Sequence, residues 1–131
     1  MQIIYSAFYK EWTMAHHICH VEIPTTDFEK AKVFYSNLFG WKVNMMPDMN
    51  YAAFQTGAEP GGGFNKVDKV TSLGEEGVLI YVSVDEIQQT LAKVTELGGN
   101  IVKEKTEIPE IGWYALFVDP EGNVIGIFES K

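Results

Sequence analysis

An internal repeat constrains this chain more than any other feature. Ile18 to Ile23 is a β-rich run that ends at Pro24, followed by the helix-capping residues Thr25, Thr26 and Asp27. Asp27 is the best placed of these to accept from first-turn N–H groups. Ala31, Phe34, Tyr35, Leu38 and Phe39 then form an apolar stripe at helical spacing, and Gly40 stops the helix. Trp41–Met46, Tyr51–Thr56 and a glycine-rich stretch at Gly62–Lys66 read as strands. The second half runs in the same order. Val78–Val84 is a strand and Glu86–Leu97 a helix, closed by Gly98-Gly99. Three strands follow, Ile101–Lys105, Trp113–Val118 and Val124–Glu129, with a turn at Asp119–Asn123 joining the last two.

The halves also match residue by residue. Asp27 aligns with Glu86, Phe28 with Ile87, Leu38 with Leu97, Gly40 with Gly99 and Val43 with Val102. After a four-residue length difference, Tyr51 meets Tyr114, Ala52 meets Ala115, Phe54 meets Phe117 and Gly63 meets Gly126. An ordered set of this kind points to a duplicated module. The expected fold is therefore α+β, with two tandem β-α-β-β-β units. One domain is expected over 14–131, with repeats at about 16–67 and 77–131, after an N-terminal extension or arm over 1–13. Met14 is an alternative start, and the arm reading has Tyr5, Phe8, Tyr9 and Trp12 packing on a neighbouring surface.

Composition narrows the function. Apolar residues make up 46% of the 131 positions, enough for a core in a chain of this length. The formal charge of −8 argues against nucleic acid, which needs a cationic footprint, and suits a neutral or cationic small molecule. Cys19 is the single cysteine, so a disulfide framework is excluded and a cytoplasmic setting is expected. No apolar run approaches the roughly 20 residues of a membrane span.

His20-Val21-Glu22-Ile23-Pro24, Asp27 through Phe34-Tyr35, Phe39-Gly40-Trp41, Ile108-Pro109, Gly112-Trp113 and Asp119-Pro120-Glu121-Gly122-Asn123 together resemble the vicinal oxygen chelate superfamily of glyoxalase I, extradiol dioxygenases and bleomycin-resistance proteins. The likeness runs from about Ile18 to Glu129 and is nearest to the small single-domain glyoxalase-related proteins. It implies two curved sheets around an open cleft, with helices on the convex side. It also implies metal ligands on the concave face, one each on the first and last strands of each repeat. Carried over, those positions fall on His20, Gly63, Leu79 and Gly126.

Only His20 among them can ligate through a side chain, whereas a catalytic divalent site takes about three protein ligands. His16 shares the His20 face but lies roughly 13 Å away along a strand, and His17 points to the other face. A one-residue slip in the alignment would bring Glu22 or Glu129 into play. No cofactor is expected, and a divalent metal is disfavoured.

His20 and Glu22, at i and i+2, share the inferred cleft face and are the candidate acid–base pair. The plainer reading is a relic ligand beside a solvated glutamate, since the pair has no recognisable nucleophile. Tyr81 and Phe128 share the cleft-facing parity, and Trp113 enters a bordering strand, so these three are the candidate ligand-binding residues; each is as readily a core filler. Gly61-Gly62-Gly63 lacks the lysine and Ser/Thr of a phosphate loop and instead marks a close backbone approach or room for a ligand. Met45, Met46 and Met49 offer soft contacts or ordinary packing.

The expected function is a metal-free small-molecule binder, homodimeric as the resemblance implies for antibiotic-sequestering relatives. The rival is a glyoxalase- or dioxygenase-type enzyme using His20 with ligands not identified in the sequence. An accessory or regulatory module fused elsewhere to other domains ranks behind both.

Overall fold

The computed structural model describes residues 16–131. The expected arm and alternative start at Met14 lie outside the described residues. Two modules follow one another. The N-terminal module comprises β1 (His20–Thr25), α1 (Phe28–Phe39), β2 (Lys42–Met46), β3 (Tyr51–Gln55) and β4 (Gly61–Lys66). The C-terminal module comprises β5 (Tyr81–Ser83), α2 (Ile87–Glu96), β6 (Asn100–Ile108), β7 (Gly112–Val118) and β8 (Val124–Ser130). Each forms a four-stranded mixed sheet, ordered β1-β4-β3-β2 and β5-β8-β7-β6, with the first strand parallel to the last. The registers coincide under the repeat alignment. Glu22 lies opposite Gly63 in one sheet, and Tyr81 lies opposite Gly126 in the other.

Local chemistry sets the helices. Asp27 caps α1 through its Oδ1, which accepts from the N–H groups of Glu29 (2.9 Å) and Lys30 (3.3 Å). Gly40 ends it at φ 73°, a left-handed conformation that a side chain would disfavour. Glu86 opens α2 without a side-chain cap. The acceptor comes instead from β8, where Glu129 Oε1 takes the Ile87 N–H at 2.8 Å.

Period-two alternation sorts each sheet into a helix face and an open face. On the first sheet, Ile23, Thr25, Ala52, Phe54 and Phe64 are buried toward the helix. On the second, Ala115, Phe117, Ile125 and Ile127 are buried. The apolar members of both sets join one core with Phe34, Tyr35, Leu38, Ile87, Leu91 and Val94. Full burial of each large apolar side chain contributes about 1.5–3 kcal/mol.

One side of the module junction is held by polar contacts. Tyr35 donates to the buried Asp119 carboxylate at 2.7 Å, and Asn123 Nδ2 donates to the Pro24 carbonyl at 2.9 Å. Glu121 accepts from the Thr26 N–H at 2.8 Å and from the Thr25 and Thr26 hydroxyls. Burial and the neighbouring Asp119 charge push the Tyr35 phenol well above its ordinary value.

Three strands differ from expectation. β1 runs through Pro24 to Thr25, because it is an edge strand paired with β4 alone, where a missing N–H is tolerated. β5 is three residues long: its parallel pairing starts beside Gly126, and Val78, 98% exposed, lies before it with no strand alongside. β6 extends to Ile108 through two register shifts, after Ile101 and after Lys103, which interrupt the alternation that sequence reading relies on.

Candidate functional site

On the open face of the first sheet, three side chains from two strands converge. The Tyr51 hydroxyl lies 2.7 Å from Glu22 Oε2 and 2.8 Å from His20 Nε2, and His20 Nε2 lies 3.3 Å from the same Glu22 oxygen. With Glu22 ionised, the Tyr51 O–H donates to it, and the phenol oxygen accepts from Nε2–H of a neutral His20. Nδ1 of that imidazole is then an acceptor. His20 and Glu22 are each about half exposed, at 46% and 49%. Desolvation, followed by the hydrogen bond to Glu22 and its charge, pushes the Tyr51 phenol up to about 12. Tyr51 therefore keeps its proton throughout the neutral range.

The glycines of β4 make this arrangement possible. A Cβ on Gly63 would stand 2.0 Å from the Tyr51 hydroxyl. The room expected at Gly61–Gly63 is therefore taken at Gly63 by Tyr51 and at Gly62 by the Phe54 ring and the Val21 carbonyl.

The open face of the second sheet is aromatic. Tyr81, half-exposed, lies across Gly126, where a Cβ would stand 2.4 Å from its ring. Tyr114 packs on it edge-on at 6.4 Å, and Phe128 lies opposite Tyr114 in register, so its side chain emerges on the same face. Lys103 Nζ sits 5.5 Å above the Tyr114 ring. The hydrogen bond and charge of Tyr114 are the main causes of a raised Lys103 pKa.

The two faces are separate in one chain. Their helix sides share the core, and among the described residues no hydrogen bond, ion pair or ring contact joins His20, Glu22 or Tyr51 to Tyr81, Tyr114 or Phe128. Trp113 differs from expectation. It pairs with Glu129 on the helix face, packs against the core, and carries Lys105 and Lys131 over its ring at 4.7 and 5.5 Å. Glu129 is withdrawn from the open face in the same way. Its Ile87 N–H bond, with Lys105 at 3.3 Å, lowers its pKa.

The three methionines scatter. Met45 packs on the core, Met46 pairs with Tyr51 on the open face, and Met49 is exposed in a short 3₁₀ turn. His16 and His17 precede β1 as exposed chain. Sequence reasoning passed over Tyr51 and Tyr114 as site residues, although the repeat aligned them and their strand parity matches the open faces.

Comparison with known proteins decides the family. Residues 17–57 match the family model for the N-terminal part of bleomycin resistance protein-like chains. A glyoxylase-like domain-containing protein of Didymella fabae is 34% identical over 116 residues, spanning 84% of this chain and 91% of that one. The chain belongs to the glyoxalase/bleomycin resistance/dioxygenase superfamily. A glyoxylase-named protein of Mycobacterium bovis, CFP32, is 26% identical over 129 residues, and this chain covers 44% of its length. Among solved structures, a superfamily enzyme from Burkholderia phytofirmans superposes with a TM-score of 0.70 at 22% identity, covering 86% of this chain and 97% of that one. The fosfomycin resistance protein FosX of Listeria monocytogenes superposes with 0.73 at 14% identity, covering 90% and 94%. These two show the fold.

The superfamily's usual divalent ion does not fit the residues present. Gly63 and Gly126 have no side chain, and the space one would enter is held by Tyr51 and Tyr81. Leu79 has no donor atom and lies before β5. His20 and Glu22 remain, and among the described residues no three His, Cys, Asp or Glu gather in one place. Two such ligands fall short of the three that a catalytic site needs.

Proposed function

We propose that this superfamily member binds a small organic molecule without a divalent metal, between the open first sheet of one chain and the open second sheet of a partner copy. The observation that carries the reading is the Glu22–Tyr51–His20 cluster standing where a metal ligand would project from Gly63. The first face supplies hydrogen-bond acceptors, and the second supplies Tyr81, Tyr114 and Phe128 for stacking. Acceptors and rings lie on different sheets, and a partner copy would bring the two faces together. The formal charge of −8 favours a cationic or donor-rich ligand, and the lone, free, exposed Cys19 suits the cytoplasm.

Light scattering after gel filtration is expected to give a dimer. A thermal-shift screen of small cations, planar aromatics and antibiotics is expected to yield ligands whose effect is lost in Glu22→Gln and Tyr81→Ala. A monomer, or a screen in which nothing raises Tm, would sink the reading.

A second reading is a metal-dependent enzyme of the glyoxalase or dioxygenase type. It would need a third donor beside His20 and Glu22, and the Tyr51 oxygen, 2.8 Å from His20 Nε2 and 2.7 Å from Glu22 Oε2, is the one at hand. Near-stoichiometric Mn, Zn, Ni or Fe in untagged protein, with turnover of a methylglyoxal–thiol adduct or a catechol, would install it in place of the first.

A further inference from the structure

The module junction has two sides related by the repeat, and one is open. On the closed side, Tyr35, Asp119, Glu121 and Asn123 hold the end of β1. Their counterparts by the repeat alignment are Val94, Thr56, Ala58 and Pro60. None of these four carries a charge, and only Thr56 keeps a hydroxyl, which is spent on the Ala58 and Pro60 carbonyls of its own turn. The clasp is thus missing beside β5, and a groove of about 880 Å³ stands in its place. That volume falls in the range of small-molecule sites, roughly 300–1,000 Å³.

Its apolar walls are Leu38, Phe39 and Trp41 from the first module and Val82 and Val84 from the second, with Thr56, Ser83, Gln89 and Thr90 adding polar groups. Its rim carries three carboxylates, Glu59, Asp85 and Glu86, against one ammonium, Lys93. None of the three carboxylates forms an ion pair among the described residues. An anion would meet this rim and the overall charge of −8 with repulsion, and a neutral body would leave the carboxylates uncompensated.

We propose that this groove is a second binding site, on the helix side of the molecule, for a monovalent organic cation with an apolar body, such as an arylalkylammonium. The apolar body lies between the Phe39–Trp41 wall and β5, and the charge rests at the carboxylate rim. The site overlaps the open face of the second sheet only along β5, through Tyr81 and Ser83.

The test uses the full chain, methyl-labelled, titrated with benzyltrimethylammonium, with phenylacetate and benzyl alcohol as comparators. Saturable binding of the cation is expected, moving the Leu38, Val82 and Val84 methyl resonances. The triple variant Glu59→Gln, Asp85→Asn, Glu86→Gln should weaken it at least about tenfold, which corresponds to about 1.4 kcal/mol. Glu22→Gln should leave it unchanged, which separates this site from the open face. Equal binding of phenylacetate, an unaffected triple variant, or shifts confined to the open faces would overturn the proposal. So would movement of the same methyls with protein concentration alone, which would assign the groove to a second copy.

Discussion

The two modules share a backbone and fill it differently. In the N-terminal module the core is a run of rings, with Tyr35 stacked on Trp41 at 5.4 Å and Trp41 on Phe54 at 4.6 Å. In the C-terminal module, Ile87, Leu91, Val94, Ile125 and Ile127 do the same work with branched chains. The cross-strand pair Phe54–Gly62 in one sheet is matched by Phe117–Ile125 in the other. Glycine lets the Phe54 ring settle onto β4 under Trp41, whereas isoleucine fills that volume itself. Duplication thus fixes where strands lie and leaves packing, caps and site chemistry free to diverge. Both open faces nevertheless converge on one device, a tyrosine laid over the glycine of the last strand.

Glycine substitutions probe this contrast most severely. Gly62→Ala would place a Cβ 2.0 Å from the Val21 carbonyl oxygen and 2.5 Å from the Phe54 ring. The carbonyl is backbone in a paired strand and has nowhere to go. A loss of about 3 kcal/mol or more in urea unfolding is expected. Gly126→Ala meets only the half-exposed Tyr81 ring at 2.4 Å, which can swing outward, so about 1 kcal/mol is expected. Equal costs at the two positions would break the comparison, because they would mean that the ring over Gly126 is held as firmly as backbone.

The junction gives the next largest effect. Tyr35→Phe removes a buried donor from Asp119, leaving that carboxylate with the N–H groups of Glu121 and Asn123 and with Asn123 Nδ2. A loss of about 1–3 kcal/mol is expected. Thr56→Ala, at the counterpart of Asp119, should change stability by less than about 0.5 kcal/mol, since its hydroxyl bonds only within its own surface turn. Chemical denaturation of both variants measures the asymmetry between the closed and open sides.

Much of this was legible in the sequence because the informative signals are local. The Asp27 cap, the Gly40 stop and the stripe from Ala31 to Leu38 each act within one helix. The repeat placed Gly63 and Gly126 in the last strands, and the alternation of β1, β5 and β8 put His20, Glu22, Tyr81 and Phe128 on open faces. What escaped depends on contacts across the chain. Trp113 and Tyr114 are neighbours, and which of them faces the helix is set by pairing with β8. The Tyr51 cluster needs a hydroxyl from β3 to cross β4, which the glycine triplet permits but does not announce. The α2 cap shows the same limit, with its acceptor 42 residues downstream.

That cap yields the mildest test, one of pH. α1 takes its acceptor from Asp27 beside it, whereas α2 depends on Glu129, whose pKa is lowered chiefly by the Ile87 N–H and further by Lys105. A carboxylate with a lowered folded pKa adds stability that is present above its unfolded value, about 4.3, and lost as pH falls through the folded one. Glu129→Gln keeps an oxygen for the Ile87 N–H but removes the titrating charge. The variant should therefore lose less stability than the parent between neutral pH and the acid limb, a difference read from Tm against pH. Because Glu129 faces Lys105 at a partly exposed site, salt should shrink the difference. An acid limb identical in variant and parent would show that α2, despite borrowing its cap from β8, draws no pH-dependent support from it.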